Sequence, residues 1–122
     1  MRNVGWEYES KVYPGNYGKG SKGIYREQAT SVGYFQIANN WGLYDMHGNI
    51  WEWCEDDWHN NYKNAPIDGT AWLSKESSSK VMRSGSWGFS PSLCRSAIRY
   101  SSLRGARHSS LGFRVVCVVP RT

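Results

Sequence analysis

Apolar residues come along this chain in short bursts separated by Gly, Ser, Asn and Pro, a pattern of loops and short strands rather than long helices. Ile50-Trp51-Glu52-Trp53-Cys54 follows a Gly48-Asn49 turn, so a strand is predicted there. KVMRSGSW, Lys80 to Trp87, reads as a second strand. LGFRVVCVV, Leu111 to Val119, is nearly all apolar and rich in β-branched residues, which predicts a third strand buried on both faces. Met1 to Tyr34 is predicted as loop, because the Pro-Gly and Gly-x-Gly spacing of YPGNYGKGSKG opposes regular structure. His59 to Ser79 turns polar, with NAPIDGT and KESSSK as loop signals.

One segment obeys neither the helical nor the strand period. In GSWGFSPSLCRSAIRYSSLRGARHSSLGFR, Gly85 to Arg114, the large residues Phe89, Leu93, Ile98 and Tyr100 stand irregularly among Ser and Gly. Such a mixture suits a binding face better than a core, since aromatic rings give contact area at low entropy cost and Ser and Gly give adaptable polarity. Ile98 and Tyr100 alternate with Ala97 and Arg99, so a strand here would turn both to one side.

With 122 residues the chain can bury a core as one domain, and residues 1–122 are read as such. Seven Trp, eight Tyr and 13 Gly strengthen the reading of loops and strands held by bulky anchors. No apolar run reaches membrane-span length and Met1 to Ser10 has no signal-peptide core, which predicts a soluble chain without membrane insertion and leaves its localisation open; a monomer is the separate expectation for its assembly.

The net charge of +5 matters less than its layout. Seven of the ten acidic residues lie between Asp45 and Glu76, while Lys80 to Thr122 holds eight bases and no acid. Two readings follow. The arginines Arg83, Arg95, Arg99, Arg104, Arg107, Arg114 and Arg121 could face nucleic-acid phosphates. The preferred reading pairs several of them with Glu52, Glu55, Asp56 and Asp57 inside the fold, which also accounts for the acids. Cys54, Cys94 and Cys117 show no C-x-x-C spacing; free thiols are the default, and one bridge between two of them stays open.

Taken in order, GLYDMHGNIWEWCEDDW, VMRSGSW, CRSAIR and LGFRVV closely resemble the signature of the formylglycine-generating-enzyme family. The resemblance implies an α+β, C-type-lectin-like fold with short strands, long loops and little regular structure. The family's oxidases hold copper through a C-x4-C pair. Here the first position is Phe89 and only Cys94 matches, so no copper and no oxidase chemistry are expected. His47, His59 and His108 show no ligand spacing for an iron site.

A second branch of the family comprises the variable proteins of diversity-generating retroelements, whose C-terminal frame carries positions rewritten by adenine-directed mutagenesis. Rewriting an AAC asparagine codon never gives Lys, Glu, Gln, Met or Trp. Those five types fill 24 of the 98 residues outside Gly88 to Leu111 and none within it. The resemblance therefore implies a non-enzymatic display protein, with its variable region at about residues 83–114. The expected ligand-binding positions are Gly88, Phe89, Ser90, Ser92, Leu93, Ile98, Tyr100, Ser101, Ser102, His108, Ser109 and Ser110. Trp87, Arg95, Ala97, Arg99, Phe113 and Arg114 would be the buried frame. The expected partner is an unidentified protein or surface ligand, with an oxidase and a basic nucleic-acid binder as the alternatives.

The family also binds calcium through a motif before the aromatic strand. The matching groups here are the side chains of Asp45 and Glu52 and the carbonyls of Gly48 and Ile50, all hard oxygen donors suited to a structural Ca2+. The competing reading pairs Glu52 with an arginine and leaves Asp45 to cap a turn.

Overall fold

Four short strands make one sheet in the computed structural model, which describes residues 26–117. They are β1 (Trp51–Asp57), β2 (Ser79–Arg83), β3 (Tyr100–Leu103) and β4 (Leu111–Phe113), arranged β3-β2-β1-β4. β2 pairs antiparallel with both neighbours, whereas β1 and β4 run parallel and match Trp51 to Leu111 and Trp53 to Phe113. Among the described residues the single helical element is a 3-10 turn at Pro91–Leu93, started by Ser90, whose hydroxyl accepts from the Ser92 N–H. Proline at its first position wastes no donor. The rest is loop, and Arg26 to Tyr34 has no strand or helix, in line with the expectation; Met1 to Tyr25 lie outside the described residues.

The predicted turn before β1 forms with Gly48 and Asn49 both in the left-handed region, at φ 101° and 63°. Asn49 is buried, and its side chain pairs with the backbone of Thr30, accepting from N–H at 2.9 Å and donating to C=O at 3.1 Å. Its own carbonyl accepts from the Trp87 N–H at 2.9 Å. One asparagine thus joins two distant segments to the start of β1. At the other end, Asp57 is buried, and its carboxylate takes the Ser74 N–H at 2.7 Å, Lys80 at 3.0 Å and Arg104 at 2.6 Å. A buried carboxylate is tolerable only when its lone pairs are filled in this way. These contacts tie the loop between β1 and β2, and the turn after β3, to the sheet. Trp51, Val81, Met82 and Cys94 form the apolar core.

Three expectations are corrected. The run from Leu111 pairs only as far as Phe113, and Phe113, Val115 and Val116 are 74%, 82% and 81% exposed, because β4 is an edge strand that ends after three residues. Val118 and Val119 lie outside the described residues. Ile98 sits in the turn before β3, its N–H bonded to Arg95 C=O at 2.9 Å, so it does not alternate with Tyr100 along a strand. Of the expected buried frame, Arg95, Ala97 and Phe113 are exposed and Trp87, Arg99 and Arg114 half-buried. Charged or edge-strand positions in so small a sheet have too few neighbours to cover them.

Candidate functional site

Trp51 gathers the unusual stretch. Its N–H donates to Ser110 C=O at 2.8 Å, and its ring lies 5.6 Å from Phe89, edge to face, and 5.5 Å from Tyr100, stacked. Phe89 and Tyr100 are themselves 6.4 Å apart. Two rings from different segments therefore meet over one indole, and a third segment pairs with the same residue's backbone. The indole N–H is buried without an acceptor among the described residues. Trp51 is a site residue that sequence reading placed only on a strand; its position next to the Gly-Asn turn was the available signal.

The other expected ligand positions divide by burial. Ser92, His108, Ser109 and Tyr100 are exposed, and Gly88, Phe89, Ser90, Leu93, Ile98, Ser101 and Ser102 half-buried. Ser90 and Ser92 share a hydroxyl–hydroxyl bond of 2.7 Å at the 3-10 turn, while Ser101 and Ser102 stand on β3 opposite Val81 and Lys80. Ser110 is buried, with its hydroxyl 2.8 Å from His108 Nδ1, and so belongs to the support rather than the face.

The arginines follow the pairing expectation in part. Arg114 grips Glu52 and Arg104 grips Asp57, whereas Arg83, Arg95, Arg99 and Arg107 have no carboxylate partner among the described residues. Glu52 and the Ser74 N–H explain two directions of charge perturbation. The carboxylate beside Arg114 holds that guanidinium's pKa up, and the hydrogen bond from Ser74 N–H, followed by that from Lys80, holds Asp57 below the usual carboxylate range.

None of the three cysteines forms a disulfide. Burial pushes the Cys54 thiol pKa up, against the opposing pull of Arg83. Cys94 is buried behind the 3-10 turn, its carbonyl 2.8 Å from His47 Nδ1. Phe89, at the position that resembles the first copper cysteine, packs on Trp51 and offers no metal donor.

Three of the four calcium-like donors, Asp45, Gly48 and Glu52, are engaged with protein groups. Both Glu52 oxygens accept from Arg114, the closest contact being 2.7 Å, and a further Arg114 N–H reaches Tyr44 C=O at 2.9 Å. Asp45 accepts the Gly33 N–H at 3.1 Å, and Gly48 C=O accepts the Ser84 hydroxyl at 3.1 Å. Among the described residues no group of three His, Cys, Asp or Glu could hold a metal ion. As arranged, these residues do not fit calcium: the ion would have to displace a guanidinium from the same carboxylate.

A small mixed sheet joined by long loops, with almost no helix among the described residues, is the architecture of a C-type-lectin-like fold. The family model for the sulfatase-modifying factor enzyme 1-like domain matches residues 2–119, and the chain belongs to that family. PvdO from Pseudomonas aeruginosa superposes with a TM-score of 0.69 at 30% identity, over 88% of this chain and 49% of its own. Treponema denticola variable protein 1 gives 0.58 at 26% identity, over 88% of this chain and 43% of its own. The serine/threonine-protein kinase Pkn1 of Chlamydia trachomatis is 37% identical over 76 residues, 60% of this chain and 12% of the kinase. That of Chlamydia caviae is 37% identical over 88 residues, 63% of this chain and 13% of the kinase. The chain thus spans just under half of the solved relatives and about an eighth of the kinases. Among the described residues no helix is long and apolar enough to cross a membrane.

Proposed function

We propose that this protein binds ligands without catalysis, through a surface in residues 88–110 diversified by a retroelement. The observation that carries this reading is the gathering of the Phe89 and Tyr100 rings over Trp51, whose backbone N–H is held by Ser110, in a chain similar in fold to a variable protein. Phe89 and Tyr100 can change while the indole and the sheet beneath them stay. A replaceable aromatic layer on a fixed floor gives a new contact surface without a new fold. The donor set argues the same way against an oxidase, since Phe89 and a buried Cys94 supply one thiol where Cu(I) takes two. The partner is a protein or surface ligand of unspecified identity.

The test is a library randomised at Phe89, Ser92, Tyr100, His108 and Ser109, selected against unrelated proteins. Folded binders with different specificities are expected from the one scaffold. A library that loses its fold at these positions overturns the reading. So would formylglycine production from a sulfatase-type cysteine peptide by the unmodified protein with copper. Independently, an adenine-rich near-copy of the 3′ coding end beside a reverse-transcriptase gene is the expected genomic arrangement.

A further inference from the structure

Beside the aromatic face stands a second arrangement that owes nothing to diversification. The Arg99 guanidinium lies over two rings at once, 4.5 Å from the centre of Trp58 and 4.4 Å from that of Tyr62. Both rings come from the loop after β1, and Trp58 is fixed at two points: its N–H bonds Ser79 C=O at 2.9 Å and its indole N–H bonds Asn60 Oδ1 at 3.1 Å. Arg99 forms no ion pair with the described residues. The carboxylates on the same strand end are engaged elsewhere, Asp57 by Lys80 and Arg104 and Asp56 by the Trp72 N–H at 2.8 Å. Arg83, Arg95 and Arg107 likewise lack carboxylate partners among the described residues, so they serve as internal comparisons for Arg99.

Ring faces satisfy the guanidinium's charge from above while leaving its N–H edge to other acceptors, and they restrain a side chain that would otherwise lose much freedom on binding. We propose that Arg99, held by Trp58 and Tyr62, is an anion-recognition point that takes a carboxylate of an acidic peptide segment on the partner. A planar fork matches a carboxylate with two parallel hydrogen bonds, which a lysine cannot reproduce. The proposal stands whether or not residues 88–110 are diversified.

A hexaglutamate peptide is the probe, titrated into 15N-labelled protein at near-physiological ionic strength, where diffuse attraction is screened. The Arg99 Nε–H and Trp58 indole signals should move saturably, and hexaglutamine should move neither. Arg99→Lys, which keeps the charge and loses the fork, should weaken binding about tenfold. Tyr62→Ala removes a 63% exposed ring and should weaken it in the same direction with the fold intact by circular dichroism. If Arg99→Lys unfolds, the Tyr62 variant decides alone. Wild-type affinity in either folded variant, or shifts spread evenly over Arg83, Arg95 and Arg107, would overturn the proposal. A thymidine hexamer that displaces the peptide on equal terms through Arg99 would overturn the assignment of a carboxylate. Retained peptide binding in Phe89→Ser/Tyr100→Ser is expected, and its loss there would move the anion site onto the aromatic face. That double variant and the randomised library fail independently, so the two readings are separable.

Discussion

Tyr100 stacks on Trp51 with ring centroids 5.5 Å apart and planes 27° from parallel, although Tyr100 is 48% exposed and Trp51 only 3%. One ring is replaceable and the other is floor. Tyr100→Ser should cost about 0.5–1.5 kcal/mol from the lost ring pair together with a small burial loss. Trp51→Ala should cost about 3–5 kcal/mol, because it opens a cavity beneath Phe89 and Tyr100. Urea melts of the two variants measure the gap, and equal losses would put Tyr100 in the core.

Asp57 predicts the acid limb of stability. Its native pKa is depressed, first by the Ser74 N–H and then by Lys80, with Arg104 adding to the effect. The native state therefore holds the ionised form more strongly than the unfolded chain does, and this contribution is present above the unfolded carboxylate value of about 4. It is lost as pH falls from there through the depressed native value. Asp57→Asn should be less stable at neutral pH and show a shallower fall below about pH 4. Some slope should remain, since Asp68 is depressed too by the Thr70 hydroxyl and amide. Melting temperature against pH for both proteins checks this; identical slopes would mean that Asp57 is not the group responsible.

The order of motifs carried the family, and the strands at Trp51 and Val81 were legible because β-rich runs there follow or precede Gly turns, although the second ends at Arg83 rather than Trp87, where Ser84 and Gly85 take positive φ. The extent of β4 was not legible. A β-branched run says that a strand is favoured, whereas the edge position that exposes Phe113 and Val115 is a property of the sheet's order. The role of Asn49 was hidden for a similar reason: its partner Thr30 is 19 residues away. Pairing of arginines could be anticipated from charge layout, but which one meets Glu52 depends on β4 lying beside β1. The clamp on Arg99 needed the loop after β1 to fold back, and no local pattern encodes that.

Gly85 and Gly112 should respond differently to the same substitution. A methyl at Gly85 would lie 2.6 Å from Cys94 Sγ and 2.8 Å from Cys94 Cα, and the residue holds φ at 78°. Backbone and conformation both oppose it, so Gly85→Ala should cost more than about 2 kcal/mol and disturb the 3-10 turn behind Phe89. At Gly112 the methyl meets the tip of Ile50, at 2.6 Å, a side chain able to rotate away. Gly112→Ala should cost about 1 kcal/mol or less. Thermal melts of the pair check the order, and a milder effect at Gly85 would show that the Cys94 turn can shift as a unit.

Arg114 and Glu52 set the expectation for calcium. The guanidinium already neutralises the carboxylate through three contacts of 2.7 to 3.2 Å, so a divalent ion gains that oxygen pair only by expelling a cation. The wild-type melting temperature should be the same in chelator and in about 1 mM calcium, since a ligand stabilises only to the extent that it exceeds its dissociation constant. Arg114→Ala should lose about 1.5–3 kcal/mol in chelator, the range for hydrogen bonds to a charged group. With Glu52 released beside Asp45, that variant should recover part of the loss as calcium rises. Glu52→Ala should be destabilised and unresponsive, because it removes the carboxylate that both cations would use. A wild-type curve that climbs with calcium would show instead that the ion displaces Arg114, and would restore Asp45, Gly48, Ile50 and Glu52 as a metal site.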